Sequence, residues 1–407
     1  MSTRRLLGSF LVLATLLPSL SIAQGGSYAA PKDVIDRIKD EGLNRSQVMQ
    51  TLSYLTDVIG PRLTGSPGMK RANDWTRDTM GKWGMQNSHL ESWGPFGRGW
   101  TLKRFHAVVD GPTAFPLIAY PKAWSPGTET LIPAPVVDPK AKKSKTRPAP
   151  VKPGTAYTGE VVTFNAQNDA EMEQYKGKLK GKIVLVGAMR ELKAEFEAQG
   201  TRQTERDLLE LANAPDPNAP RPAGVAPNAP VGNQFQQFQF AGRRLRFLHE
   251  EGAAILIDTA FRGDGGTVFV QGAQAVQPAP PATGGPAANV PVRNKNAVVP
   301  IQLTATPEHF NRISRMINAG EKVTMTVDLA VEYQDADENA YNTIAEIPGS
   351  DKADEVVMLG GHLDSWHGGT GATDNGAGCA VMMEAVRIIQ ALGLKPLARF
   401  VGFATAG

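Results

Sequence analysis

The 407-residue chain carries 43 Lys and Arg against 40 Asp and Glu, a formal charge of +3. Near neutrality without a basic stripe excludes an electrostatic nucleic-acid binder. A single cysteine, Cys379, excludes an intramolecular disulfide framework, so stability must rest on an ordinary core and on any bound metal.

The amino terminus has the layout of an export signal. Arg4 and Arg5 precede an apolar run over 6–17, and Ser21-Ile22-Ala23 offers a small-x-small cleavage site before Gln24. Residues 1–23 are therefore expected to be a signal peptide, and the mature protein to be secreted or periplasmic. No later apolar run is long enough to cross a bilayer. Val34, Ile35 and Ile38 predict a short leading helix within 31–50, and 46–59 predicts a stronger one with Ser46 as its cap. The loop "GPRLTGSPG" (60–68) then leads into a helix reaching Trp83, followed by strand-like segments at 89–91 and 99–103. Arg62 in that loop is read either as lining a site or as fixing the loop. Lys140 to Lys152, with Pro148 and Pro150, reads as a solvated loop.

From Gly154 the character changes. Strand-like runs at 159–164, 179–186, 252–258 and 298–304 alternate with helices expected at 240–251 and 307–319. That alternation predicts an α/β unit. Two Ala/Pro-rich stretches, 212–230 and 273–291, are expected to be solvent loops. Phe235, Phe238 and Phe240 are expected to seal an interface with the neighbouring domain. Past Glu332, a strand is expected at 342–347, a turn at 348–354 and a strand at 355–361. The apolar 355–359 fits a buried parallel position. Val381, Ala385, Ile388, Ile389 and Leu392 then follow a helical period, Gly393 ends the helix, and 399–405 reads as a further core strand.

The chemistry concentrates between these last elements. His362 and Asp364 stand two apart on extended backbone, so both side chains leave one face. An imidazole there can ligate a metal, with the carboxylate orienting it. Asp374 follows twelve residues after His362, across a glycine-rich loop at the threshold of the helix, and a two-oxygen carboxylate can bridge two ions. Such sites belong at the carboxyl ends of strands. A dinucleotide fingerprint fails, because Asp374 stands where the third glycine of Gly369-Thr-Gly371-Ala-Thr-Asp374 should be. His249-Glu-Glu251 lacks the second histidine of a zincin, and no G-x-S-x-G elbow occurs. Cys379 reads as a buried structural thiol.

Taken together, "NTIAEIPGS" (342–350), "GGHLDSW" and "GATDNGAG" before an amphipathic helix resemble the di-zinc exopeptidases of the aminopeptidase type, in particular the carboxypeptidase Q (plasma glutamate carboxypeptidase) group. The resemblance implies an α/β fold, a zinc-exopeptidase mixed sheet flanked by helices, with residues 154–331 as an inserted protease-associated α/β domain. Residues 24–153 would be the first part of the peptidase domain and 332–407 its resumption. It also implies two Zn2+ per site, His362 and Asp374 as metal ligands, Asp364 as a catalytic-site carboxylate, and a peptide or dipeptide substrate. A homodimer of the intact protein is a further implication, and neither nucleic acid nor membrane is an expected partner. His367 stands where relatives often carry Asp, and is a further ligand candidate whose aim the following glycine leaves unfixed. In the family, the strand matching 399–405 runs into a Glu-Glu pair, general base then zinc ligand, with Asp/Glu and His ligands beyond. Residues 1–407 stop short of those positions, so the expectation is an inactive fragment with an unpaired apolar edge at its last strand. The alternative is a shortened, non-catalytic protein acting as a protease-associated binding module.

Overall fold

The computed structural model describes residues 30–131, 155–198, 200–213, 231–260, 262–279 and 289–405. The expected signal peptide and the 140–152 loop lie outside them, as do 214–230 and 280–288 of the Ala/Pro-rich stretches. The chain divides into two units, residues 1–45 and 46–407. In the first, α1 (Lys32–Asn44) is the expected leading helix. Arg45 Nε donates to Glu41 Oε2 across its last turn at 2.6 Å.

The second unit begins with α2 (Val48–Ser53), which passes into a wider-wound turn at Tyr54–Ile59. Ser46 Oγ accepts from Val48 N at 3.2 Å, but the residue at the cap position is Gln47, not the expected Ser46, and its side chain makes no capping bond. α3 (Pro67–Lys82) is capped by Ser66 Oγ, which accepts from Met69 N, and has proline in its first turn, where the missing N–H costs nothing. Strands β1 (Gln86–Trp93), β2 (Gly99–Gly111), β3 (Phe115–Pro116) and β4 (Ala119–Pro121) follow. Next come β5 (Tyr157–Phe164), α4 (Asp169–Glu173), β6 (Ile183–Val186), α5 (Glu205–Ala212), α6 (Val231–Glu250), β7 (Ile255–Thr259), β8 (Ile301–Ala305) and α7 (Pro307–Asn318). The chain continues through β9 (Thr324–Gln334), β10 (Ala340–Ile347), β11 (Lys352–His362), α8 (Ala377–Ala391) and β12 (Ala398–Thr405).

The strands make two mixed sheets. The larger has the order β3-β2-β9-β5-β6-β7-β8-β4, with β5 to β8 parallel. Its parallel strands read as continuous apolar runs because both faces are covered. Ile183, Leu185, Ile255, Ile257 and Ile301 pack with Phe310 and Ile313 of α7. Their alternates Val184 and Leu256 pack with Leu245 and Leu248 of α6. Phe240 packs against this second cluster while Phe238 stays exposed, so these two aromatics do not form one seal.

The division between the two sheets falls between β1 and β2. β1 pairs with β10, but β2 pairs along its length with β9 and so belongs to the larger sheet. Ala107 and Val109 of β2 bury in the same cluster as Met325, Val327 and Leu329, which decides the pairing. The smaller sheet has the order β1-β10-β12-β11. α3 and α8 pack on it through Met80, Met383 and Val386 against Ala345 and Ile347.

A departure from the expected arrangement concerns its edge. β12, expected as the open last strand, lies inside, antiparallel to β10 and parallel to β11. Among the described residues, β11 is one edge of this sheet and β1 the other. Val356, Val357 and Met358 are 43, 40 and 63% exposed, so the run read as a buried strand is parallel but uncovered among the described residues. Apolar content marks a strand's affinity for cover without saying which neighbour supplies it. Uncovered apolar edges recruit other strands. Residues 1–407 should accordingly self-associate as concentration rises. Val356→Lys with Met358→Lys should lower the sedimentation coefficient at matched concentration and leave the far-ultraviolet circular dichroism unchanged.

Candidate metal centre

β11 ends at His362, and the chain then turns through a glycine-rich loop to α8. The structure brings the three predicted residues together. His362 Nδ1 lies 3.1 Å from Asp364 Oδ1, and His362 Nε2 lies 2.9 Å from Asp374 Oδ1. One imidazole is thus held between two carboxylates. Asp364 is the less exposed of these, at 18%, and Thr64 Oγ1 donates to its Oδ2 at 2.8 Å. Asp374 is 79% exposed and faces open space.

Small residues make this geometry possible. The Asn375 side chain lies between two glycines: a Cβ on Gly378 would stand 2.4 Å from its Oδ1, and one on Gly361 3.0 Å from its Nδ2. Gly371 has φ +63°, and a Cβ there would stand 2.3 Å from Ser365 Cβ and 2.9 Å from Arg62 Nη2. The glycines therefore let the loop fold back on the strand end and on Arg62.

Arg62 is the anchor. It is fully buried and donates to five backbone carbonyls: Nε to Leu363, Nη1 to Leu55, Gly60 and Thr370, Nη2 to Gly371. Its own N–H donates to Ser365 Oγ, and Ser365 N returns a bond to Arg62 O. One guanidinium ties the turn after α2, the backbone between His362 and Asp364, and the loop before Asp374. Of the two readings open in the sequence, fixing the loop is the one realised. Burial lowers its pKa, with Asp364 and Cys379 opposing, but a guanidinium stays charged in proteins.

The other candidates stand apart. His367 does not join His362. Its Nε2 donates to Pro121 O at 2.6 Å, and its ring meets Trp100 edge-on at 4.9 Å. Burial lowers its pKa, and its Nδ1 is buried with no hydrogen-bond partner among the described residues. Packing has fixed the aim that the adjacent glycine left open. Cys379 is buried, its Sγ donating to His362 O at 3.2 Å, and burial pushes its pKa up to about 11. Thr64 and Ser365 lie within the "GPRLTGSPG" and "GGHLDSW" stretches, but sequence reasoning gave neither a role.

The donor set fits part of a metal site. With zinc bonds of about 2.0–2.1 Å, two ligands at a tetrahedral angle sit about 3.3 Å apart, near the Nε2–Oδ1 separation. Among the described residues no group of three or more His, Cys, Asp or Glu forms a complete cluster. His362 and Asp374 supply two corners, with Asp364 behind the imidazole.

Residues 342–407 match the sequence pattern of peptidase family M28. This part of the chain is thus similar to the M28 peptidases. Carboxypeptidase Q of Xenopus laevis is 45% identical over 92 residues, and that of Homo sapiens 41% over 92 residues. Each match covers 22% of this chain and 19% of the relative, so the similarity spans about a fifth of those proteins' length. The crystal structure of a peptidase M28 precursor from Shewanella amazonensis superposes with a TM-score of 0.53 at 20% identity, over 92% of this chain and 67% of that one. The α/β architecture with mixed sheets is therefore that of an M28 peptidase fold.

Two consequences are open to measurement. Arg62→Met leaves five carbonyls without their donor and should cost about 3 kcal/mol or more, seen as a lower urea midpoint. The raised Cys379 pKa keeps the thiol protonated at pH 8 and unreactive until far higher pH. Ellman's reagent should therefore label it at a negligible rate in the folded chain and quickly in urea.

Proposed function

We propose that this chain is the metal-bearing part of an exported zinc exopeptidase, an aminopeptidase, carboxypeptidase or dipeptidase acting on peptides. One observation carries the reading: the carboxylate–imidazole–carboxylate set at the end of β11 lies inside the stretch that matches family M28. His362 and Asp374 would hold zinc, and the second oxygen of Asp374 suits a bridge to a second zinc. When bound, zinc supplies Lewis acidity for peptide hydrolysis. Asp364 accepts from His362 Nδ1–H, which leaves the Nε2 lone pair for the metal, and Thr64 holds Asp364 in turn. Arg62 sets the spacing of His362 and Asp374 by gripping backbone on both sides of the loop.

Export through residues 1–23, a protease-associated insertion over 154–331 and a homodimer of the intact protein complete the proposal. Among the described residues, no helix is long and apolar enough to cross a membrane.

Zinc titration tests the assignment. Catalytic zinc sites use three protein ligands, and the described residues offer two, so residues 1–407 should hold zinc loosely and hydrolyse no dipeptide. His362→Ala or Asp374→Ala should remove the calorimetric binding curve, and Asp364→Asn should weaken it about tenfold. Zinc uptake untouched by all three substitutions would overturn the assignment, and robust dipeptide hydrolysis by residues 1–407 would overturn the expected inactivity.

A further inference from the structure

A second concentration of polar groups lies in the larger sheet, under α6. On that face β7 presents Leu256 and then Asp258, while β8 presents Gln302 and Thr304 in register with them. Leu245 and Leu248 of α6 cover the apolar part. Gln302 and Thr304 are buried polar residues that the core has no use for. Beside them remains a cavity of about 120 Å³, lined by Lys122, Arg244, Asp258, Gln274 and Gln302 with a leucine wall. That is several times the roughly 10–15 Å³ that one water needs.

The charges in this cavity do not cancel. Lys122 Nζ pairs with Asp258 Oδ2, and Thr304 Oγ1 donates to Asp258 Oδ1 at 2.9 Å. The Gln302 amide is committed to the backbone of Gln274 on both its atoms. Arg244 is left over. It is half-buried, and among the described residues it makes no hydrogen bond or ion pair, lying only 6.0 Å from the Phe240 ring. Burial lowers its pKa, with the Asp258 charge opposing, yet it cannot shed its proton. A planar fork of donors thus borders a cavity whose one carboxylate among the described residues, Asp258, is bonded to Lys122 and Thr304. An unpaired, partly desolvated cation is costly, and a guanidinium fork matches a carboxylate. Leu245, Leu248, Leu256 and Val186 line the same space and suit a short apolar group.

We propose that this cavity binds a small carboxylate with a short apolar tail, the carboxylate on Arg244 and the tail on the leucine wall. The reading is independent of the metal centre.

Isothermal titration of the full chain with sodium isovalerate, and separately with inorganic phosphate, tests it. Isovalerate should bind saturably, and Arg244→Gln should weaken it at least tenfold with the melting temperature little changed. Phosphate binding as tightly as isovalerate would overturn the apolar-tailed carboxylate, and isovalerate binding unaffected by Arg244→Gln would overturn the site. A second measurement needs no variant. Phenylglyoxal should modify Arg244 in the wild-type chain, and isovalerate should protect that residue in peptide mass maps. Equal labelling with and without isovalerate would refute the proposal even if Arg244→Gln fails to fold.

Discussion

The buried Arg62 guanidinium is the constraint on which the rest of the candidate metal centre depends. His362 and Asp374 lie some three hundred residues beyond the "GPRLTGSPG" loop, and the glycine-rich segment that brings them together is held in place by Arg62. The guanidinium gathers carbonyls from before α3, from the end of β11 and from the glycine loop. Arg62 makes no ion pair among the described residues, and its charge is tolerated in the core because carbonyl dipoles converge on it. The same burial forces Gly371 and crowds Gly376, since any side chain there would meet the guanidinium. Glycines in this loop are therefore a property of the buried Arg62.

Much of this was legible in the sequence, and the reasons differ by element. His362, Asp364 and Asp374 could be read together because strand end, glycine loop and helix start are contiguous, so local geometry alone converges them. α3 and α7 were legible because Ser66-Pro67 and Thr306-Pro307 are cap-and-proline starts. What failed was non-local. β2 carries the same alternation whichever sheet it joins, and only burial against β9 decides. The apolar run of β11 announced a covered strand, yet cover depends on neighbours the run does not encode. His367 was undetermined because its partners, Pro121 O and Trp100, lie far away in sequence. α5 was missed although Thr204 and Asp207 form a reciprocal capping box, a local signal obscured by its polar, Pro-flanked surroundings. The Arg244 cavity had no linear signature, for its cations and its buried amide come from three separated segments.

The pairing of β2 with β9 bears on how the smaller sheet is assembled. β1 must find β10, and their register sets Trp93 opposite Ala340 and Glu91 opposite Asn342. For a free chain, that contact closes a loop of nearly 250 residues. The larger sheet removes this burden. Gly99 lies opposite Gln334, so once β2 and β9 have zipped, the ends of β1 and β10 emerge side by side. The long intervening segment then behaves as a hairpin turn of unusual size. During synthesis every strand of the larger sheet is made before β10, and β1 of the smaller sheet is made before them all. Chain topology thereby favours folding of the larger sheet before the sheet that carries His362.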